Sequence, residues 1–229
     1  MIRCVLFDLD GTLIDSEEFT IASKQIEGKK YGYDVKREDV IASLGMSSES
    51  SYKHFTSIYG KDFPVDILRK ARKDYIVDDM KKNGIRLKPY AKEIALFCKE
   101  NNIKTAICTS TNEENIIEYK KYDDIFSYFD YIITGDKVKR GKPEPDIFYL
   151  GASTCGFSQY ETLVIEDSNT GVEAALKGGF DVIMIPDLVK PKDEYLQSVK
   201  IYHNLKEVEE YLKNKGGKYG SYKNFRRKF

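Results

Sequence analysis

Asp8 and Asp10 stand two positions apart at the end of the apolar run Cys4-Val5-Leu6-Phe7, and Gly11 follows at once. In an extended chain residues i and i+2 face the same side. Both carboxylates can therefore project into one place where the chain leaves a strand. Two such charges about 4 Å apart repel by about 4 kcal/mol at an effective dielectric of 20. A hard divalent ion with oxygen ligands, Mg²⁺, would reverse that cost. Gly11 lets the backbone turn and lets a ligand approach closely. Taken alone, the pair reads equally as turn or helix-capping aspartates.

Three further segments of this kind each follow a strand-like run. They are Ile107-Cys108-Thr109-Ser110, Gly141-Lys142-Pro143-Glu144-Pro145 and Ile165-Glu166-Asp167-Ser168. Something must bring them together, and the pattern between them supplies it. Residues 3–8, 103–108, 131–134, 162–165 and 182–185 read as strands. The spacing of apolar residues predicts helices over 91–100, from Pro145, and over 171–177, the last stopped by Gly178-Gly179. Thr111-Asn112-Glu113-Glu114 has capping-box spacing, with Thr111 as the cap of a helix reaching Tyr119. Asn204 caps a last helix carrying Leu205, Val208 and Leu212 on one face. Strands alternating with helices imply an α/β protein with a parallel sheet covered on both faces. The carboxyl edge of such a sheet is where ligands bind.

Residues 16–85 differ: β-branched runs are few, and Phe19, Ala22, Ile26, Ile67, Leu68, Ala71 and Tyr75 recur at helical spacing. They read as a helical cap inserted after the first strand, joined by segments 11–15 and 83–89. The expected division is a core of 1–15 and 86–213, a cap of 16–85, and a basic tail of 214–229. The tail reads as solvated, or as a docking element for an acidic partner.

Composition narrows the function. The chain has 229 residues, enough for a sizeable core. Its 37 basic and 37 acidic side chains balance, which gives no sign of nucleic acid or an anionic membrane as partner. No apolar stretch approaches the roughly 20 residues of a membrane span, and the first strand does not resemble a signal peptide. A cytoplasmic protein is expected. Cys4, Cys98, Cys108 and Cys155 form no CxxC motif and read as buried thiols. His54 and His203 are the only histidines, which argues against a histidine phosphatase or a His-rich zinc site.

The four segments, in this order and each after a strand-like run, resemble the four motifs of the haloacid dehalogenase superfamily, in its phosphatase branch. The resemblance spans nearly the whole chain except the tail. It implies a Rossmann-like, doubly wound parallel sheet core with an inserted α-helical cap. It implies that Asp8 attacks phosphorus and becomes an aspartyl-phosphate, a known type of carboxylate intermediate. Asp10 would protonate the leaving oxygen and then activate water, a role that asks for a raised pKa. Thr109 and the Ser110 amide would hold phosphoryl oxygens, and Lys142 would offset their charge. Mg²⁺ would be held by Asp8, the Asp10 carbonyl and Asp167, with Glu166 binding it directly or from behind.

Within the family, Asp10 argues against a dehalogenase and against phosphonate hydrolysis, which lack that acid. β-Phosphoglucomutase shares core and cap, and phosphoglycolate phosphatases are similar. The mutase pattern has a histidine near position 20, where this chain has Thr20, and an arginine in the cap loop that here reads Leu44-Gly45-Met46-Ser47-Ser48-Glu49. Thr20, Gly45, Ser47 and Ser48 are the candidates for reading the leaving group. The expectation is a monomeric, Mg²⁺-dependent phosphatase acting on a small phosphorylated metabolite such as a sugar phosphate. The alternatives are a mutase of that type and a non-catalytic binding member.

Overall fold

The computed structural model describes residues 1–216. Six parallel strands form one sheet: β1 (Cys4–Phe7), β2 (Lys104–Cys108), β3 (Tyr131–Ile133), β4 (Thr162–Glu166), β5 (Asp181–Met184) and β6 (Lys200–Ile201), in the order β3-β2-β1-β4-β5-β6. The helices are α1 (Glu17–Lys30), α2 (Arg37–Ala42), α3 (Ser48–Tyr59), α4 (Val65–Asn83), α5 (Ala91–Glu100), α6 (Glu113–Tyr119), α7 (Asp146–Cys155), α8 (Asn169–Lys177) and α9 (Leu205–Gly216). The tail from residue 217 lies outside the described residues.

Strand alternation sorts the core into two layers. Val5 and Phe7 face one side and pack with Ile94, Ala95 and Cys98 of α5 and Leu205, Val208 and Leu212 of α9. Cys4 and Leu6 face the other and pack with Ile147, Phe148 and Ala152 of α7 and Val172, Ala174 and Ala175 of α8. Every residue of β1 is fully buried, as a central parallel strand should be. All four cysteines are free and buried. No helix among the described residues is long and apolar enough to cross a membrane.

The chain order reverses between β1 and β4, because β2 lies on one flank of β1 and β4 on the other. At such a switch point the loops leave in opposite directions and open a crevice at the carboxyl edge. Register then levels the candidate residues. Phe7 pairs with Ile107 and with Ile165, so Asp8, Cys108 and Glu166 come next at the same height.

Helices α1–α4 form the inserted unit, with a cluster of its own around Ile21, Val40, Phe55, Phe63 and Leu68. The two connecting segments run side by side: Asp15 N donates to Arg86 O and Lys88 N to Leu13 O. The expected apolar stripe of α1 is rotated. Ala22 and Ile26 are exposed, and the buried face holds Glu17, Thr20, Ile21 and Ser23. Glu17 and Thr20 lie on that face because they line the cavity above the carboxyl edge of the sheet, whereas Ile21 packs into the cap's own cluster.

Candidate active site

The Lys142 ammonium stands between two carboxylates, donating to Asp8 Oδ1 and Glu166 Oε1, each at 2.5 Å, and to Cys108 O at 3.3 Å. All three charged side chains are almost completely buried. Burial opposes the lysine's charge, but Asp8 and Glu166 outweigh it and hold its pKa above the usual value. The second oxygen of Glu166 accepts from Asp167 N, Ser168 N and Ser168 Oγ at 3.0–3.2 Å. Glu166 therefore ties Lys142 to the loop that leaves β4.

Asp8, Glu166 and Asp167 each place an oxygen within 4.8 Å of the others. Like charges at that spacing repel by about 3–4 kcal/mol at an effective dielectric of 20. One lysine among three buried carboxylates leaves two negative charges in excess. Burial pushes the Asp8 carboxyl well above the ordinary range, helped by Glu166 and opposed by Lys142. Asp167 moves the same way, from burial and then from the charges of Glu166 and Asp8. The donor set is all oxygen, and its excess charge matches a hard divalent cation. The backbone leaves room for it. Gly11 has φ +87°, and a Cβ there would lie 2.2 Å from Asp167 Oδ2.

Asp10 points toward the cap and lies in a different setting. Its carboxylate accepts from Ser16 Oγ and Thr111 Oγ1, each at 2.6 Å, and from Arg72 Nη2 at 2.9 Å. Burial alone would raise its pKa, but the Arg72 charge and these hydrogen bonds prevail and lower it. The expectation of a raised pKa is thus reversed: three donors hold Asp10 as a carboxylate. The same geometry corrects the cap of α6. Asn112 accepts from Asn115 N at 3.0 Å, whereas Thr111 serves Asp10.

Thr109 is buried, with Oγ1 accepting from Thr111 N at 3.0 Å and its own hydroxyl proton left to give. Thr109 and Ser110 line a cavity of about 550 Å³ with Asp8, Asp10 and Lys142. The cap closes its far side, where Thr20, Gly45, Ser47 and Ser48 also line it. Thr20 Oγ1 accepts from Arg72 Nε at 2.7 Å. Ser47 caps α3 with its hydroxyl and donates its amide to Lys142 O at 3.3 Å. Gly45 has φ +74°, and a Cβ there would meet Ser168 Oγ at 2.3 Å, so the cap loop rests directly on the core. His54 is bound to Asp39 O within the cap.

A model of the haloacid dehalogenase-like hydrolases matches residues 5–185. The chain belongs to that family. Among relatives of this hydrolase, hexitol phosphatase A of Escherichia coli is 31% identical over 186 residues, covering 80% of this chain and 83% of that protein. A phosphorylated carbohydrates phosphatase of Thermotoga maritima is 27% identical over 184 residues, covering 79% and 83%. The crystal structure of β-phosphoglucomutase from Clostridium difficile superposes with a TM-score of 0.78 at 21% identity, covering 94% of this chain and 97% of that one. The last comparison speaks for the fold alone.

The four motifs meet in this hydrolase, and the cap candidates Thr20, Gly45, Ser47 and Ser48 face them across the cavity; the charged cap residues Arg72 and Glu17 escape sequence reasoning. Arg72 stands in the run Arg69-Lys70-Ala71-Arg72-Lys73, which reads as a solvated helix face. Its signal is positional: it shares one line of α4 with Leu68, Ile76 and Met80, all buried. Glu17 is similarly misplaced for a charge. It is buried, its Oε2 has no hydrogen-bond partner among the described residues, and burial, then the Asp10 charge, raise its pKa to about 7. A carboxyl raised in the folded state stabilises at low pH and loses that contribution as pH climbs. The window here runs from about 4.5 to about 7. Glu17→Gln is therefore expected to gain on the wild type by up to about 3 kcal/mol at pH 8, with the gain vanishing near pH 4.5. Thermal unfolding of both proteins across that range checks it; a pH-independent difference would count against the buried, raised carboxyl.

Proposed function

We propose that this hydrolase is a Mg²⁺-dependent phosphatase that hydrolyses a small phosphorylated metabolite through an aspartyl-phosphate on Asp8. The single observation that carries this is the Lys142 ammonium 2.5 Å from both Asp8 and Glu166, with Asp167 in the same carboxylate cluster. A carboxylate can attack an anionic phosphoryl group only where cations offset the repulsion. Asp8, the Asp10 carbonyl and Asp167 would hold the ion, with Glu166 bracing Lys142 behind them. Bound there, Mg²⁺ neutralises and orients the phosphoryl group.

The protein's own groups then divide the work. The Thr109 hydroxyl and the Ser110 amide hold phosphoryl oxygens. An Asp8 carboxylate oxygen forms its bond to phosphorus as the ester P–O bond breaks, and Asp10 gives a proton to the departing oxygen. Water next loses a proton to Asp10 and attacks phosphorus, the Asp8–phosphorus bond breaks, and phosphate leaves. In the closed arrangement Asp10 is a carboxylate held by Arg72. It suits the second step as it stands, and must take up a proton and part from Arg72 for the first. The cap over the cavity keeps bulk water from the phosphoryl group.

The relatives' names, hexitol phosphatase and phosphorylated carbohydrates phosphatase, and a cavity roomy enough for a small metabolite support this substrate class. Phosphate release from a panel of phosphorylated metabolites and p-nitrophenyl phosphate, with Mg²⁺ and with excess chelator, tests the proposal. Release that survives chelation would overturn the metal requirement. Conversion of β-glucose 1-phosphate to glucose 6-phosphate would favour a mutase, and no turnover at all a binding protein.

A further inference from the structure

Lys24, Arg69, Arg72, Lys139 and Lys142 bring positive charge to the cavity wall. Arg69 and Lys139 are exposed to solvent at its rim, and Arg69 pairs with Asp66. Of the three set into the wall, two are spoken for. Lys142 is shared by Asp8 and Glu166, and Arg72 is paired with Asp10. Lys24, on α1 of the cap, is placed otherwise. Its Nζ donates to the neutral Ser43 Oγ at 3.3 Å and lies 4.5 Å from the centroid of the Phe55 ring. Among the described residues it forms no ion pair. Phe55, Phe63, Val65 and Leu68 add apolar surface to the same cavity.

An ammonium group enclosed on apolar ground without a counter-charge is unfavourable. Burial, and then the nearby Arg72 charge, lower the Lys24 pKa to about 7. Glu17 supports its charge from a distance, but burial drives that carboxyl toward its neutral form. Two of the three ammonium protons have no acceptor assigned to them. The cap loop of residues 44–49 carries no basic side chain that could take this part.

We infer that Lys24 is the cap's anion anchor: the substrate carries a second anionic group, a carboxylate or a second phosphate, at the end remote from the transferred phosphoryl group, and Lys24 binds it. This rests on the phosphatase reading above. The phosphoryl group meets Lys142 and the hydroxyls on the core side, and the second anion meets Lys24 across the cavity. A hydrogen bond to a charged group contributes about 1.5–3 kcal/mol, so the preference over a neutral analogue is about tenfold or more.

The test uses the full chain with Mg²⁺ and two matched pairs. Phosphoglycolate against 2-hydroxyethyl phosphate asks about a carboxylate. Fructose 1,6-bisphosphate against fructose 1-phosphate asks about a second phosphate. In one pair at least, kcat/KM for the doubly anionic member is expected to exceed that of its partner by about tenfold or more. Lys24→Met is expected to reduce that ratio to near one through KM, whatever the absolute rates, and Lys24→Arg to keep it. The pair that responds identifies the anion. No preference in either pair, or a preference that survives Lys24→Met, overturns the inference. Should Lys24→Met fail to fold, the wild-type ratios and Lys24→Arg decide. p-Nitrophenyl phosphate separates the two readings: its turnover without any anion preference sinks the anchor alone. If nothing is turned over, calorimetric binding of the same four compounds to the wild type and to Lys24→Arg decides, and equal affinity within each pair overturns the anchor.

Discussion

An Asp8→Asn protein is expected to release phosphate about 10⁴-fold or more slowly than the wild type, with the loss in kcat. The amide has the shape of the carboxylate but no lone-pair charge to form a bond to phosphorus. Asp8 is also the residue on which the site converges. It follows the central strand, bonds Ile165 O through its amide at 2.9 Å, and shares Lys142 with Glu166. In the variant Lys142 keeps Glu166 as its partner, so the lysine is not left as an unpaired buried charge. Ligand binding is expected to change far less than turnover. One term falls, because a carboxylate that would help to hold the cation is gone. Another rises, because the carboxylate that repels the phosphate is gone too. Single-turnover kinetics and calorimetric titration with substrate separate the two effects. Retention of turnover within about 100-fold of wild type would move the nucleophile elsewhere.

What could be read in the sequence follows from which physical signals are local. A carboxylate pair, a hydroxyl pair and an acidic pair at the ends of apolar runs mark a sheet edge, because only a buried strand reads as a continuous apolar run. The first five strands are visible for the same reason, though not their order in the sheet. β6 is not: two residues, Lys200 and Ile201, one of them exposed, leave no periodicity to detect. The charged residues of the cap side are missed for a different reason. Glu17 and Lys24 lie inward on α1, and Arg72 on α4, because they line the cavity, as the expected Thr20 does. A rule that places charged residues outward turns such a helix the wrong way, as it does for Ala22 and Ile26. Thr111 shows the same limit on a smaller scale. Its spacing fits a helix cap, but Asn112 fits one residue later, and only the fold reveals that Asp10 is within reach of Thr111.

Asp10→Asn is expected to depend on the leaving group, which makes it the sharper test of mechanism. With an alkyl phosphate the departing oxygen is strongly basic and needs a proton. General acid catalysis contributes about 10²–10⁴-fold, so kcat/KM should fall by roughly 10³-fold. With p-nitrophenyl phosphate the phenolate departs without help, and formation of the Asp8 phosphoryl intermediate should be nearly spared. Hydrolysis of that intermediate still needs a base for water, so it should slow by a similar factor. The signature is then a burst of one nitrophenol per chain followed by a slow steady state, with a phosphoryl group retained on Asp8. Equal losses on both substrates and no burst would remove Asp10 from proton transfer. The proposed mechanism asks one residue to serve both steps in two protonation states. Ser16, Thr111 and Arg72 hold it as the carboxylate that the second step requires. Of these, Arg72 alone belongs to a cap helix beyond α1, and its charge is the largest influence opposing burial. A substrate that draws Arg72 away leaves a buried carboxylate with two hydroxyl partners, where desolvation favours the protonated form that the first step consumes.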